Sequence, residues 1–198
     1  MKKLILFLSI FSLSFGLELA SIEPVMKENL KTAINIVSDK SLNDMQKSNK
    51  LFDMFDSYFD YTLMAKLALS KHYKALNDEE RAKFTKTFEA RLKKSFTNKL
   101  SLYTNEQIVI KDATIPNPSR YFVNAAIVSG ADTYSLVFKF YKAKDNDFLI
   151  YDVDILGVSV IQTYRSQFDD LSSKVDFNEI LKRLEVTNLP DDNKKQNE

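Results

Sequence analysis

The stretch FLIYDVDILGVSVIQTYRSQF, residues 148–168, decides the fold. Its first eight residues are aromatic, β-branched or leucine side chains apart from two aspartates, a composition typical of a β-strand. Gly157 interrupts the strand, and apolar residues from Val160 to Leu171 then recur at helical spacing. The stretch therefore predicts a strand, a turn and an amphipathic helix in direct succession.

Three more strands are predicted upstream, where apolar side chains recur every two residues. The four predicted strands cover residues 108–115, 120–129, 133–143 and 148–155. Pro116-Asn117-Pro118, Gly130-Ala131-Asp132 and residues 144–147 supply the turns between them. Turns this short join antiparallel neighbours, so we predict a four-stranded antiparallel meander.

Helices are predicted before and after the meander. One amphipathic helix begins near Ser21, a second is capped by Ser41 and reaches Phe59, and a short third covers residues 63–68. Asn77 and Glu80 form a capping box at the start of a fourth. Asp176 caps a last helix, which ends near Leu184. Helices segregated from an antiparallel sheet predict an α+β domain.

The fourth helix carries one narrow apolar stripe, which we call the aromatic stripe. Its members follow each other at spacings of four and finally three: Phe84, Phe88, Leu92, Phe96, Leu100 and Tyr103. Such a stripe is typical of an ordinary core. A curved sheet facing it, packed against the N- and C-terminal helices, would enclose an apolar cavity.

The chain ends differ from the predicted domain. Lys2 and Lys3, an apolar run from Leu4 to Leu13 and Ser14-Phe15-Gly16 indicate a signal peptide over residues 1–16. The run is shorter than the roughly 20 residues that span a bilayer, although an uncleaved anchor is the alternative. Without cysteine, lipoprotein processing is excluded. Residues 17–189 form a single predicted domain, and the polar residues 190–198 a disordered tail.

Charge and cysteine content exclude several classes of protein. The chain has 28 Lys and Arg against 27 Asp and Glu, a balance that becomes 26 to 27 without Lys2 and Lys3. Nucleic-acid-binding domains are usually distinctly basic, so none is predicted here. The absence of cysteine excludes disulfides and thiol chemistry. The 15 Phe and 9 Tyr can supply the core of a secreted protein, and a bacterial periplasm is the expected compartment.

No side-chain pattern predicts a metal or a nucleophile. His72 is the single histidine, and metal binding or acid–base catalysis at one histidine needs partners that the sequence does not place nearby. Ser159 and Ser166 lack a neighbouring histidine. We therefore predict no metal site, no catalytic residue and no enzyme activity.

Two pairs of carboxylates were candidates for chemistry. Asp152 and Asp154 share a strand face, where they could act as a base or bind a cation; the favoured interpretation is a solvent face with Tyr151, Val153 and Ile155 turned inward. Asp56 and Asp60 are one helical turn apart, and solvation or pairing with a lysine is expected of them.

Two segments resemble the MlaC family, also called the toluene-tolerance family of periplasmic phospholipid-shuttle proteins. The first segment, residues 55–96, carries Phe59, Asp60, Met64, Ala65, Leu69, Glu80, Arg81, Phe84 and Phe88. The second carries Tyr151-Asp152-Val153, Gly157-Val158-Ser159 and residues 164–168. The chain departs from the family pattern at Ser70, where Gly is frequent, at Tyr73, where Trp is frequent, and at Leu156, where Glu is frequent.

The resemblance implies a function. It implies a glycerophospholipid as cargo with no other cofactor, a role in outer-membrane lipid asymmetry, and a monomer. The implied partners are an outer-membrane lipoprotein complex and an inner-membrane ABC transporter with a lipid-binding substrate protein. Arg165 is either a headgroup contact or, preferably, one side of a surface ion pair. The candidate acyl-chain walls are Phe59, Leu63, Leu67, Phe84, Phe88, Leu92, Phe96, Val123, Ile127, Leu136, Phe138, Ile155, Val158 and Ile161.

Two other functions stay open from the residues. A periplasmic chaperone or assembly module that binds apolar polypeptide would present an open groove instead of a deep pocket. An enzyme on a cone-shaped α+β fold would use Asp152 or Asp154 as its base. It would need that carboxylate buried, facing the cavity and next to a hydrogen-bond donor.

Overall fold

The computed structural model describes residues 16–100, 105–144, 147–172 and 174–185. The predicted tail and all of the predicted leader except Gly16 lie outside these residues. The helices are α1 Ile22–Ser38, α2 Asp44–Phe55, α3 Tyr61–Leu69, α4 Lys71–Ala75, α5 Asp78–Leu100, α6 Val160–Ser172 and α7 Phe177–Glu185. The strands are β1 Leu17–Glu18, β2 Gln107–Asn117, β3 Arg120–Ser129, β4 Asp132–Lys144, β5 Asp147–Ile155 and β6 Val158–Ser159.

Within the described residues the sheet is antiparallel and has six strands in the order β1-β5-β4-β3-β2, with β6 also paired to β5. The predicted meander is therefore present as β2 to β5, but the predicted count of four is wrong. β1 and β6 are two residues long each. A segment that short shows no alternation of side chains, so the sequence pattern could not reveal it.

Three short segments cover the outer edge of β5. β1 pairs with Asp147 and Phe148, and β6 pairs with Asp154 and Ile155. Between them, Phe59 forms an isolated bridge with Ile150, whose carbonyl accepts a hydrogen bond from the Asp60 amide at 2.9 Å. An uncovered edge strand can pair with another chain, and this arrangement leaves little of β5 available for that.

Bulges bend the meander. Tyr151 has no opposing residue, since Lys139 pairs with Asp152 and Phe140 pairs with Ile150. The β2–β3 register shifts in the same way at Lys111. An extra residue of this kind bends its strand and increases the local twist, which curves the sheet toward one face.

The apolar side chains form two main cores. The sheet core lies between the strands and α1, with buried members Leu17, Ile22, Met26, Leu30, Tyr121, Val123, Ala125, Leu136, Phe138, Phe140, Phe148 and Ile150. The helical core joins α3 to α7, with buried members Met64, Ala65, Ala68, Leu69, Tyr73, Phe84, Phe88, Ile161, Tyr164, Phe168, Ile180, Leu181 and Leu184.

Helix starts follow their capping residues. Asn77 and Glu80 make the predicted capping box before α5, with both hydrogen bonds at 2.9 Å. Asp176 caps α7 through the Glu179 amide, also as predicted. The predicted cap of the second helix is wrong, because α2 starts after Asn43, which forms a capping box with Gln46. That helix also ends at Phe55 and not at Phe59, since a 3-10 turn follows.

Ser70 separates α3 from α4, a short helix that was not predicted. Its φ of 54° and ψ of −124° lie in a region that glycine adopts far more readily than other residues. This conformation explains why a glycine suits this position in the resembling family.

Candidate functional site

The candidate site is the concave apolar face of β2 to β5, which we call the inner face. The β3–β4 register places Tyr121 opposite Phe140, Val123 opposite Phe138, and Ala125 opposite Leu136. Directly opposed residues point to the same side of a sheet, so these side chains form one continuous layer. Ile108 and Ile110 extend the layer onto β2.

Burial changes along the inner face from one end to the other. At the closed end Val123, Phe140 and Ile150 have no exposed surface, and Leu136 in the middle is 6% exposed. At the open end, made by Tyr134, Ile155 and Val158, the exposed fractions are 40%, 41% and 59%. These three belong to the same face by register. An apolar surface therefore continues from the core to the outside.

Helix α1 closes one end of the inner face. Its Ile22, Met26 and Leu30 are buried in the sheet core. Tyr121 fastens the helix to β3, because its hydroxyl donates a hydrogen bond to the Glu23 carboxylate at 2.6 Å. Burial, together with this hydrogen bond, raises the pKa of Tyr121 to about 12.

The turn between β5 and β6 borders the open end. Leu156 and Gly157 both have positive φ, 56° and 76°. Leucine pays about 1 kcal/mol or more for this left-handed conformation, which glycine adopts freely. The Leu156 amide donates to the Ser135 carbonyl at 2.8 Å, while its side chain is exposed. The turn thus presents an apolar side chain to solvent beside the open end.

The structure distributes the predicted wall residues over three locations. The sheet core takes Val123, Ile127, Leu136 and Phe138, and the helical core takes Leu67, Phe84, Phe88, Leu92 and Ile161. Phe59 packs against both cores, and Leu63 is half-buried on α3. Phe96, Ile155 and Val158 are exposed. Contact of each of these residues with a lipid remains a prediction.

The first half of the aromatic stripe does not face the sheet across a hollow. The ring centroids of Phe88 and Tyr164 are 5.1 Å apart, and those of Phe84 and Phe168 are 5.5 Å apart. The expected cavity between the aromatic stripe and a curved sheet is therefore not lined by Phe84 and Phe88. They form a closed aromatic core, because α6 packs directly on α5.

Asp152 is buried, which corrects the prediction of a solvent-facing pair. Its Oδ1 accepts hydrogen bonds from the amides of Val153 at 2.9 Å and Ile161 at 3.1 Å. Its Oδ2 accepts from the Ser159 hydroxyl at 2.7 Å and from Lys139 Nζ at 3.2 Å. The outer face of β5 was expected to be solvated, but the N-terminus of α6 covers it.

The Asp152 cluster holds α6 onto β5. Ser159 accepts a hydrogen bond from the Gln162 amide at 2.9 Å and so caps α6. Lys139 also contacts Asp154 at 2.5 Å. Burial would lower the pKa of Lys139, but hydrogen bonds and charge attraction from Asp154 and Asp152 outweigh it and raise that pKa. Four donors occupy Asp152 on the outer side of the sheet, so it does not meet the requirement for a base that faces the inner face.

A second polar cluster joins α5 to the start of α3 and the 3-10 turn before it. Lys93 bridges Asp56 and Glu89, and the Tyr61 hydroxyl donates to Asp56 at 2.7 Å. An open cleft of about 390 Å³ beside them is lined by Asp56, Ser57, Phe59, Asp60, Tyr61, Thr62, Thr85, Glu89 and Leu149. Burial first, and then the hydrogen bond to Asp56, raise the pKa of Tyr61.

The other acidic candidates are structural. Asp60 caps α3 through the Leu63 amide at 2.8 Å and accepts a hydrogen bond from the Tyr141 hydroxyl. Asp169 lies 3.8 Å from His72 Nε2 and 3.9 Å from Arg165 Nε, which agrees with a surface ion pair for Arg165. No group of three acidic or histidine side chains suited to a metal occurs within the described residues.

In a comparison with known families, the model of the MlaC protein family matches residues 27–186. The chain belongs to the MlaC family. This is a family of lipid-binding carriers and not of enzymes. A comparison with curated protein sequences gives no significant match.

The MlaC-family assignment agrees with a structural comparison. The phospholipid-binding protein of Ralstonia solanacearum, solved in complex with a phospholipid, superposes with a TM-score of 0.68. The match covers 83% of this chain and 93% of that chain, at 20% sequence identity. At this identity the similarity establishes a shared fold. Among its described helices, the MlaC-family chain has none that is long and apolar enough to cross a membrane.

Sequence reasoning missed two features of this MlaC-family site. Ser159 was considered only as a nucleophile, although its Ser-x-x-Gln spacing to Gln162 is a helix-start signal. The open end was also missed, because periodicity shows which side chains share a face and not how far a covering helix extends.

Proposed function

We propose that this protein carries a glycerophospholipid through the periplasm, with its acyl chains against the inner face. The observation that carries the proposal is the MlaC-family match over residues 27–186. The graded burial of the inner face supports the location. Acyl chains would enter at the open end, past Tyr134, Ile155 and Val158, and the charged headgroup would stay in water.

The acyl chains need space that side chains now occupy. Val25, Phe55 and Tyr58 pack against the sheet core from the helical side and are only partly buried. The four central strands are joined by ladders of hydrogen bonds, whereas α1 and the end of α2 hold the sheet mainly by apolar contacts. We expect the helical side to move outward when lipid binds, since it has fewer directional bonds to break.

Transfer by docking follows from the energetics of the cargo. Burial of one methylene is worth about 0.8 kcal/mol, so two chains with roughly 30 methylenes would resist release into water by up to about 24 kcal/mol. A carrier therefore has to pass its lipid directly to another apolar cavity. The proposed partners are an outer-membrane lipoprotein complex and an inner-membrane ABC transporter with its lipid-binding substrate protein. A monomer with one exposed open end suits both contacts.

Native mass spectrometry of the full-length chain, exported to the periplasm of a Gram-negative host, tests the binding step. We expect a complex with the mass of one phospholipid, and extraction should recover glycerophospholipid. A lipid-free protein that also fails to take phospholipid from added vesicles would contradict the proposal.

Tryptophan substitutions test the location on the inner face. Val123→Trp and Leu136→Trp should fill the space that acyl chains need and abolish lipid uptake. Val137→Trp is the matched control, because Val137 adjoins Leu136 on β4 but points to the opposite face. Circular dichroism shows which variants fold. Unchanged lipid uptake in both folded inner-face variants would exclude this face as the wall.

The exposed apolar residues of the open end favour a second candidate, a chaperone or assembly module for apolar polypeptide. Tyr134, Ile155 and Val158 would then bind a peptide chain in an open groove. A competition assay separates the candidates. If an apolar peptide releases the bound lipid with an affinity comparable to that of phospholipid, the result would support the chaperone. If phospholipid vesicles exchange the bound lipid and the peptide does not release it, the result would support the carrier.

A further inference from the structure

One polar side chain lies on the inward face of α1. The buried residues of this helix are Ile22, Met26, Leu30 and Ala33. Asn29 follows Met26 by three residues and precedes Ala33 by four, so it shares their face. Lys27, Glu28 and Lys31 are exposed, and Asn29 therefore interrupts a row of apolar side chains.

The Asn29 amide has an uncompensated donor. Its Nδ2 is buried, and it makes no hydrogen bond to any described residue. A buried donor without an acceptor costs about 1–3 kcal/mol. A leucine at this position would avoid that cost and would match its neighbours. The asparagine is therefore unfavourable for the lipid-free fold.

Asn29 lies part-way along α1, between the closed end of the inner face and the far end of the helix, where it could contact a bound ligand. Glu23, one residue after the start of α1, is fastened at the closed end by Tyr121. Ala33, further along the helix, packs with Leu51 and Leu100 in a separate small core. At 1.5 Å per residue, Asn29 is about 9 Å beyond Glu23 along the helix axis. It therefore lies between the Tyr121–Glu23 hydrogen bond at the closed end and the separate small core around Ala33.

We propose that Asn29 donates a hydrogen bond from Nδ2 to an ester carbonyl oxygen of the bound phospholipid. This inference rests on the proposed function. Acyl chains offer no acceptor, so the candidates are the ester carbonyls and the phosphate. The buried residues that share this face of α1 with Asn29, namely Ile22, Met26, Leu30 and Ala33, are all apolar. A neutral amide in such surroundings suits a neutral carbonyl, because burial of a phosphate without a cation is far more costly.

The variant Asn29→Leu tests this role, with Asn35→Leu as the control on the exposed side of α1. We expect lipid-free Asn29→Leu to be at least as stable as the wild type in urea. Its bound dioleoyl phosphatidylethanolamine should transfer to acceptor vesicles about threefold to tenfold faster, the value of one neutral hydrogen bond. Asn29→Ala should show the same faster transfer if the leucine variant folds poorly.

An ether-linked phosphatidylethanolamine of the same chain length identifies the acceptor. It keeps the phosphate and lacks both ester carbonyls, so wild type and Asn29→Leu should release it at equal rates. A difference that persists with the ether lipid would show a phosphate contact and overturn the assignment.

The outcomes also separate this inference from the proposed function. A wild type that binds no phospholipid refutes the carrier itself. A wild type that binds lipid, with a leucine variant that retains it equally well, refutes the role of Asn29 alone. A marked loss of stability in lipid-free Asn29→Leu would show that the amide is structural, and it would equally overturn the proposal.

Discussion

The helical core and the sheet core use similar side chains but differ in how completely they close. Phe84 and Phe88 are enclosed by rings from α6 and have no exposed surface. The inner face of the sheet is sealed at one end and exposed at the other. Helices surround Phe84 and Phe88, whereas α1, the end of α2 and the turn that follows it lie over the inner face of the sheet.

Geometry explains the difference. Four strands about 4.8 Å apart present a surface roughly 15 Å wide, before the strand length is considered. One α-helix with its side chains is about 10 Å wide. Helix α1 therefore leaves part of the inner face uncovered, and a ligand can complete the burial. Aromatic content alone does not distinguish a core from a binding surface, but the number of covering elements does.

Removal of a ring from the helical core should give the largest effect. Phe88→Ala deletes a fully buried ring that contacts Phe84, Tyr164 and Phe168, and should cost about 3–5 kcal/mol in urea unfolding. Phe96→Ala is the control on the same helix. Its ring is 44% exposed, so about 1 kcal/mol is expected. Equal losses would show that the helical core is not closed.

Loss of the Asp152 carboxylate should be the next largest effect. Asp152→Ala removes the acceptor of four hydrogen bonds and leaves Lys139 with a single carboxylate, which should cost about 3 kcal/mol in urea unfolding. The lipid bound per folded molecule should not change, because Asp152 lies outside the inner face. Asp154→Ala should cost less. Loss of lipid without loss of stability would contradict the structural role.

Loss of the hydrogen bond between Tyr121 and Glu23 should have a moderate, pH-dependent effect on stability. Tyr121→Phe removes a hydrogen bond to a carboxylate, worth about 1.5 kcal/mol. The pKa of Tyr121 is about 10 when unfolded and about 12 when folded. Its stabilisation is therefore complete below pH 10 and is lost as the pH rises through 12. Urea unfolding should show a smaller alkaline decline in the variant. Parallel declines would exclude this contribution.

A backbone substitution in the helical region should give the smallest effect, and a favourable one. Ser70→Gly replaces a residue in a region suited to glycine and should raise the free energy of unfolding by about 0.5–1 kcal/mol. Lipid content should stay unchanged. Ser57→Gly is the control, since Ser57 lies in a 3-10 turn without positive φ and should lose stability. A destabilised Ser70→Gly would mean that the serine hydroxyl has a role.

Much of the fold follows from local sequence signals. Two-residue and helical periods predicted β2 to β5 and all helices except α4, and Asn77 with Glu80 and Asp176 marked two helix starts. Ser41 was predicted as the cap of the second helix from its residue type alone, whereas the observed cap is Asn43. The glutamine three residues after Asn43 makes the difference. The two predicted caps that have a glutamate three residues later, Asn77 and Asp176, are confirmed.

The site was less predictable, because it depends on contacts between distant segments. Nothing in YDVDI shows that the start of α6 will cover Asp152, or that Tyr151 will bulge and leave the strand alternation on either side intact. Similarly, the spacing of the aromatic stripe cannot show that Phe84 and Phe88 meet α6 while Phe96 stays exposed. Periodicity identifies faces, and tertiary packing determines which of them is covered.

The pairing of β1 with β5 constrains the order of folding. Leu17 lies opposite Phe148, so this contact closes a loop of about 130 residues. Closure of so long a loop has a large entropic cost and is slow compared with formation of the local hairpins. The first strand of the domain should therefore be among the last segments to dock, after the meander has formed. A chain that emerges from a translocation pore N-terminus first would keep this strand exposed until β5 has crossed, which makes the interval before docking the period of greatest risk of aggregation.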